Sequence, residues 1–147
     1  MNSFVSFREA RKIALLYSAE FQKSNNLDLL IAELKKLGLE VSTMLYLDST
    51  KENSETPYYN KNDIAVSGDL QKSDLDFFIN QKYDFAVYLD NSLNYLLDYI
   101  FSKIDCHCRV GIYHPERLSF LDLMIQNTPS KPNIETEILR YLKLANT

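Results

Sequence analysis

Compact apolar runs alternate along the chain with stretches of helical periodicity, and this pattern predicts an α/β fold. The four main runs cover residues 12–17, 39–47, 83–90 and 106–113. Compact apolar runs are typical of strands that are buried on both faces of a parallel sheet. We therefore predict that these runs form the strands of one mainly parallel sheet.

Helices are predicted between these strands. Residues 27–37 place aliphatic side chains at helical spacing, and Gly38 follows as a C-terminal stop. Asn25 or Asn26 is a suitable N-cap for this helix. Strand, helix, glycine and strand in this order form a right-handed βαβ unit, whose two strands are parallel. Further helices are predicted over residues 4–11, 73–81, 93–104 and 134–144.

The remaining segments are polar or short. Residues 18–26 are expected to form a loop, and residues 48–62 a polar surface excursion. Residues 63–66 and 120–125 are expected to form short strands, the second of them at a sheet edge in either a parallel or an antiparallel pairing. Residues 1–147 are thus predicted to form a single, three-layer, Rossmann-like α/β domain with helices on both faces of the sheet.

Charge and hydropathy narrow the range of partners. The formal net charge is -4, whereas binding to nucleic acid or to an anionic membrane needs a basic face. The longest apolar stretches, such as residues 13–17 and 85–89, fall far short of the ~20 residues that span a bilayer. The first residues lack the basic and then apolar order of a secretory signal. We expect a cytoplasmic protein with no nucleic-acid partner and no membrane partner.

The two cysteines of the chain, Cys106 and Cys108, flank His107 and raise the question of a metal site. A structural zinc ion needs four ligands, usually in two pairs, and the only other histidine is His114. A disulfide across this spacing would be strained. We predict no metal and two reduced, buried thiols, with Cys106 and Cys108 on one face of a strand and His107 on the other.

Candidate ligand-binding residues follow from the fold class. Ligands of open parallel sheets bind beyond the carboxyl ends of the strands, at the point where the strand order reverses. The residues predicted at these ends are Ser18, Asp90, Asn91, Ser92 and His114. Residues 90–92 are equally suited to cap the helix that follows, and His114 to lie in a solvated loop. No catalytic residue is assigned, because a G-x-S-x-G elbow is missing from the sequence.

The glycines of the chain argue against the common cofactors. Only Gly38, Gly68 and Gly111 are present, so neither G-x-G-x-x-G nor G-x-x-x-x-G-K-[ST] can be formed. Glu20, which follows the first strand, places an acid where a phosphate needs backbone amides. We predict no cofactor.

The central part of the chain resembles the amino-terminal domain of heptosyltransferase-like GT-B glycosyltransferases. In those enzymes a YDxxIDL strand leads through an apolar helix to an RIG strand, and residues 83–90 and 108–113 here read YDFAVYLD and CRVGIY. The resemblance implies a Rossmann-like fold. It implies no transferase activity for this chain alone, because GT-B enzymes bind the sugar nucleotide mainly in a second, carboxyl-terminal domain.

The chain as a whole looks like a family of small Bacteroidetes proteins that form a domain of unknown function. Those proteins open with a short helix and an IxILY strand, carry FDxxIDLS and KVGxY further on, and end with DLMI and a helix. In this sequence Asn91 follows Asp90, and the serine comes one position later, at Ser92. The resemblance implies no activity. The matching residues here are 13–17, 83–91, 109–113 and 122–125.

Two functions agree with these observations. The first is a non-catalytic domain that binds a protein or a small ligand, as a homodimer or with another protein. Tyrosine is enriched in interfaces, and Tyr46, Tyr58, Tyr59 and Tyr113 are candidates for a surface patch. The alternative is an enzyme, or the remnant of one, that acts on a sugar-like or phosphorylated metabolite at the strand ends.

Overall fold

The computed structural model describes residues 10–24, 27–47, 57–90, 94–119, 121–125 and 134–144. Short 3-10 helices cover Lys61–Asp63 and Pro115–Arg117. The strands are β1 Lys12–Ser18, β2 Glu40–Tyr46, β3 Tyr58–Tyr59, β4 Lys82–Leu89, β5 Asp105–Ile112 and β6 Leu123–Ile125. The helices are α1 Ala19–Ser24, α2 Leu27–Lys36, α3 Ser73–Ile79, α4 Tyr95–Lys103 and α5 Ile134–Leu144.

The six strands form one sheet in the order β3-β2-β1-β4-β5-β6, and every pair is parallel. The predicted Rossmann-like fold is therefore confirmed. The antiparallel option for the last strand is wrong, because Leu123 pairs with Val110 in parallel register. Arg109 and Asp122 anchor this return: Asp122 N–H donates to the Arg109 carbonyl, and Asp122 Oδ2 accepts from Arg109 N–H, at 2.8 Å each.

Side chains from β1 enter two separate cores. Ile13, Leu15 and Tyr17 pack on one face together with α1, α2 and α5, whereas Ala14 and Leu16 pack on the other with α3 and α4. All five side chains are at most 1% exposed, which explains why the sequence of β1 is continuously apolar. The helices on both faces give the predicted three layers.

Gly38 ends α2 as predicted. Its φ of +88° is positive, Leu39 N–H donates to the Leu34 carbonyl at 3.3 Å, and Gly38 N–H donates to the Lys35 carbonyl at 3.0 Å. This pair of bonds is a Schellman motif, which satisfies carbonyls that the last helical turn leaves open. The chain can therefore leave α2 and enter β2 within a few residues.

Three local predictions are wrong. The segment expected to be a loop contains α1, which begins directly after Ser18. The expected polar excursion contains β3, and the short strand expected over residues 63–66 is replaced by the 3-10 helix Lys61–Asp63 and one antiparallel bridge between Ile64 and Leu70. Local polarity dominated these three expectations, whereas pairing and packing decide the structure.

Helix α4 begins later than its predicted cap. Asn94 is the N-cap of α4, and its side chain accepts from the N–H groups of Leu96 and Leu97, so the expected capping role of residues 90–92 does not describe this helix. Of the helix predicted over residues 4–11, only Ala10 and Arg11 are described, and neither is helical. Asn25 and Asn26, the candidate caps of the next helix, and the predicted site residues Asn91 and Ser92 lie outside the described residues.

The two thiols lie on opposite faces of the sheet, so the expectation that they share one face is wrong. Cys108 belongs to the core that contains α2, and Cys106 packs against the core that contains α4. Asp84 and His107 are absent from the β4–β5 pairing, and the alternation of sides shifts at this point. Burial raises the pKa of Cys106 to about 11 and that of Cys108 to about 12. Both thiols are therefore protonated at neutral pH.

Candidate functional site

The order of the strands reverses between β1 and β4, the position at which ligands bind in this fold class. Ser18 ends β1, and Asp90 directly follows β4. Both predicted residues therefore lie at the carboxyl ends of the strands, as expected. Both are also buried, with 6% of Ser18 and 1% of Asp90 exposed.

Ser18 starts a helix. Its Oγ accepts a hydrogen bond from Phe21 N–H at 3.2 Å, which is the usual bond of an N-cap. Phe21 in turn is buried in the core beneath α1. The hydroxyl therefore has a structural role at the point where the chain leaves β1.

Asp90 forms an ion pair with Arg117, a residue that the sequence analysis did not single out. Arg117 Nη2 lies 3.2 Å from Asp90 Oδ2, and Nη1 donates to the Asp90 main-chain carbonyl at 2.6 Å. Both side chains are 1% exposed. An arginine buried to this degree is stable only when it is paired and hydrogen-bonded.

Tyr88 and Asp98 complete the surroundings of this arginine. Arg117 Nη2 donates to the Tyr88 hydroxyl at 3.3 Å, and the Tyr88 hydroxyl donates to Asp98 Oδ1 at 2.5 Å. Arg117 Nε lies 3.6 Å from the same Asp98 oxygen, and the guanidinium carbon lies 4.3 Å from the centre of the Tyr88 ring. Burial and the bond to Asp98 raise the pKa of Tyr88. We call Tyr88, Asp90, Asp98 and Arg117 the Arg117 network.

His114 begins the 3-10 helix that carries Arg117. Its Nδ1 accepts from Glu116 N–H at 3.1 Å, and Pro115 occupies the first helical position. Because Nδ1 is engaged in this bond, His114 helps to hold the 3-10 helix and thereby Arg117. The predicted role of His114 in ligand binding stays a prediction.

The charge of the Arg117 network is unfavourable for an anionic ligand. One guanidinium is shared between two carboxylates, those of Asp90 and Asp98. A phosphate placed here would meet a negative balance of charge, and like charges repel strongly where water is excluded. The arrangement is suited to fixing the loop after β5 against the end of β4.

The Arg117 network could be anticipated only in part. The sequence indicates a buried partner for Asp98, because this carboxylate interrupts the apolar helix that contains Leu97, Ile100 and Phe101. Arg117 carried no such signal, since it lies in a polar turn of the sequence. Its burial depends on β4 and α4, which precede it by many residues.

A second feature lies along the lateral edge of the sheet, on the side of β2 that faces away from β1. Within the described residues, β3 pairs only with Leu45 and Tyr46. We call residues 40–44 of β2, on this side, the open edge. It extends over roughly 16 Å, since a strand rises about 3.3 Å per residue.

The direction of the main-chain groups on the open edge follows from their neighbours. Leu45 and Leu47 donate their N–H groups to Pro57 and Tyr59, on the β3 side, at 3.0 Å each. In a parallel strand the N–H and C=O of one residue point to the same side, and successive residues alternate. The main-chain groups of Val41 and Thr43 therefore point outward from the sheet.

Pro57 is the first described residue of the ladder between β2 and β3. Its carbonyl accepts from Leu45 N–H, but proline has no N–H to donate to the next carbonyl along β2, which belongs to Thr43. Among the described residues, the pairing of this segment with β2 extends no further than Pro57. The open edge begins beside Pro57.

A groove of about 280 Å³ adjoins the open edge and is bounded on the other side by α3. Its walls include Met44 and Pro57, together with Phe77 and Phe78 of α3. Phe77 is 69% exposed, whereas Met44 and Phe78 are buried. Asp74 contributes a carboxylate to the same wall. The groove thus combines an apolar floor, an exposed aromatic ring and one negative charge.

Tyr83 and Ser42 give the groove a fixed floor. The Tyr83 hydroxyl donates to the Phe78 carbonyl at 2.7 Å. Burial raises the pKa of Tyr83 to about 12, although a side-chain hydrogen bond with Ser42 partly opposes this shift. These bonds join β2, β4 and α3, so the groove is held by three elements.

The tyrosine patch predicted from the sequence does not form a surface. Tyr46 and Tyr59 are buried, with ring centres 5.2 Å apart in an edge-to-face arrangement. Lys72 Nζ lies 3.4 Å from the centre of the half-buried Tyr58 ring and donates to the main-chain carbonyl of Tyr58 at 2.7 Å. Tyr113 is exposed, at the opposite part of the sheet.

Neither a metal-binding cluster nor a membrane-spanning helix is found among the described residues. Among the described residues, no group of three or more histidine, cysteine, aspartate or glutamate side chains could hold a metal ion. No helix within the same ranges is long and apolar enough to span a bilayer.

The fold and these two features define a doubly wound, all-parallel α/β protein with a buried ion-pair network at its strand ends. The chain belongs to the family of unknown function DUF6913, whose family model matches residues 1–144. No curated protein and no solved structure shows a significant match to this chain. The Bacteroidetes origin and the resemblance to GT-B glycosyltransferases stay predictions.

Proposed function

We propose that this chain is a non-catalytic binding domain that holds an extended segment of a partner protein along the open edge of β2. The observation that supports the proposal is the combination of outward main-chain groups at Val41 and Thr43 with the adjoining groove. Extended peptides add to exposed sheet edges by main-chain hydrogen bonds, and neighbouring pockets select their side chains. A groove of this size suits one or two side chains.

The strand ends favour this function over an enzyme of phosphorylated or sugar-like metabolites. Ser18 caps a helix, and Asp90 is neutralised by a buried arginine. Neither is presented to solvent as a general base or a phosphate ligand would be. The net charge of -4 also favours a protein partner over nucleic acid, and the free thiols fit the reducing conditions of the cytoplasm.

Selection of displayed peptides tests the proposal. A random library of extended peptides of about eight residues is selected on the wild-type protein, and the enriched peptides are measured by fluorescence polarisation. Replacing Thr43 by Pro removes one of the two outward N–H groups of the open edge. We expect Thr43→Pro to weaken binding about tenfold, the effect of losing one good hydrogen bond. Thr43→Val keeps the N–H and the branched side chain and should bind as the wild type does.

Two results of this experiment would contradict the proposal. Failure to enrich any peptide, or equal binding to Thr43→Pro, contradicts the proposal. Circular dichroism and a thermal melt establish that Thr43→Pro is folded, as expected for a proline whose N–H side faces solvent. If the variant does not fold, amide chemical shifts of Val41 and Thr43 in the wild-type protein give the answer, because only an edge-bound peptide displaces both.

A ligand screen tests the enzymatic alternative. Nucleotides, nucleotide sugars and sugar phosphates are added in a thermal-shift assay. A true ligand at one hundred times its dissociation constant would stabilise the protein by about 2.7 kcal/mol. We expect no such stabilisation, and a reproducible shift that Asp90→Asn abolishes would contradict the non-catalytic function.

A further inference from the structure

Asp74 gives the groove a charge preference. It lies in the first turn of α3 and is exposed, and it is the charged residue on the groove wall. In the described part of the chain it forms no salt bridge, whereas Glu40, at the start of the open edge, is paired with Lys12 at 3.2 Å. A ligand in the groove would therefore meet one uncompensated carboxylate.

Lys72, which directly precedes α3, already has two partners. Lys72 Nζ donates to the Tyr58 carbonyl and stands over the Tyr58 ring. These contacts hold the ammonium against β3. Lys72 is therefore occupied elsewhere, and among the described residues no salt bridge neutralises Asp74.

We infer that the partner segment carries a lysine or arginine that pairs with Asp74 and an apolar side chain that enters the groove between Met44, Phe77 and Phe78. This inference rests on the proposed function and adds the chemistry of the ligand. The apolar side chain removes the exposed ring of Phe77 from water. The basic side chain selects among apolar segments, since charges at the rim of an interface contribute more to specificity than to affinity.

A second copy of this chain is the less suitable occupant. Two open edges could pair only about a two-fold axis, which would place Asp74 of one copy near the same groove as Asp74 of the other. Each copy also has a net charge of -4, so approach is opposed over a Debye length of about 8 Å at physiological salt. A basic segment of a different protein would instead be attracted by the negative charge of this chain.

A charge-reversal experiment tests the inference. One selected peptide is made with its basic residue and with glutamate in its place, and both are measured against wild type, Asp74→Lys and Asp76→Lys. Asp76 lies in the same first turn of α3 but outside this groove, so it is a matched control for the change of charge. We expect glutamate to weaken binding to the wild type about fivefold, the upper range for an exposed ion pair. Asp74→Lys should reverse the preference, and Asp76→Lys should leave it unchanged.

Each other result overturns the inference in a distinguishable way. Selected peptides without a basic residue, or equal effects of Asp74→Lys and Asp76→Lys, remove the charge preference while leaving the proposed function intact. A dimer in light scattering that Thr43→Pro converts to a monomer identifies a second copy as the occupant. Tighter peptide binding after residues 49–55 are replaced by a glycine-serine linker identifies that segment of the chain as the occupant.

Discussion

Arg117 is the side chain on which the strand-end region depends most. It is 1% exposed, and it joins the loop after β5 to Asp90 beyond β4 and to Asp98 on α4. Replacing a buried ion pair as a whole can be neutral, but removing one partner leaves an uncompensated charge. The residue is therefore a sensitive probe of whether this region is structural.

Arg117→Met is expected to destabilise the protein by about 3–5 kcal/mol, the usual cost of breaking a buried pair from one side. Adding Asp90→Asn removes the orphaned charge and should restore more than half of the loss. Urea denaturation of the two variants and the wild type measures both effects. Additive losses in the double variant would contradict the coupling of Arg117 with Asp90.

The buried thiol of Cys108 should make stability depend on alkaline pH. Its pKa rises from 9.0 to about 12 on burial. Above pH 9 the unfolded chain therefore loses a proton that the folded chain retains, and stability falls by up to about 1.4 kcal/mol per pH unit until pH 12. In Cys108→Ala this contribution is missing, whereas the loss of packing is the same at every pH.

The measurement is the free energy of unfolding between pH 8 and pH 11 for both proteins. The curve of Cys108→Ala should be less steep than that of the wild type. Tyr83, with its pKa raised to about 12, contributes equally to both curves and cancels in the comparison. Parallel curves would show that the thiol is accessible in the folded protein.

Single residues of the site were only partly predictable from sequence. Ser18 and Asp90 could be placed at the strand ends because a strand end follows from a run of apolar residues. Their partners could not be predicted, since Arg117 pairs with a residue that precedes it by 27 positions. Long-range pairing of this kind leaves no local pattern in one sequence.

At the scale of elements, the junction between α2 and β2 depends on one backbone conformation. Gly38 has a φ of +88°, and a Cβ at this position would meet no atom within 4 Å. A side chain here would therefore cost conformational energy without a steric clash. This makes Gly38 a clean probe of the helix end.

Gly38→Ala is expected to lower the free energy of unfolding by about 1–2 kcal/mol. Gly38→Asn should cost less, because asparagine enters the left-handed region more readily than other residues. Urea denaturation distinguishes the two variants. Equal losses in both would contradict the account of this turn.

Long apolar elements were predictable, and short or edge elements were not. The strands β1, β4 and β5 and the helices α2 and α5 lie where apolar runs and helical spacing place them. The two-residue strand β3 has no room for a pattern and exists because it pairs with Leu45 and Tyr46. For the same reason, the open edge beside β3 could not be found from the sequence.

At the scale of the whole molecule, the carboxyl ends of the central strands and the outer edge of β2 differ in the direction of their polar groups. The strand ends near β4 are closed by the Arg117 network, which directs polar groups inward. The open edge of β2 directs main-chain groups outward beside an apolar groove. The binding function that we propose therefore lies at the edge of the sheet, whereas the fold class alone would place it at the strand ends.

Amide hydrogen exchange of β2, with and without a selected peptide, tests this account most directly. Ser42 and Met44 direct their N–H groups toward β1, so their exchange is an internal control within the same strand. The account predicts that the peptide slows exchange at Val41 and Thr43 at least about tenfold, as one added hydrogen bond implies. Exchange at Ser42 and Met44 should stay unchanged. Unchanged exchange at Val41 and Thr43 in the presence of saturating peptide would contradict it.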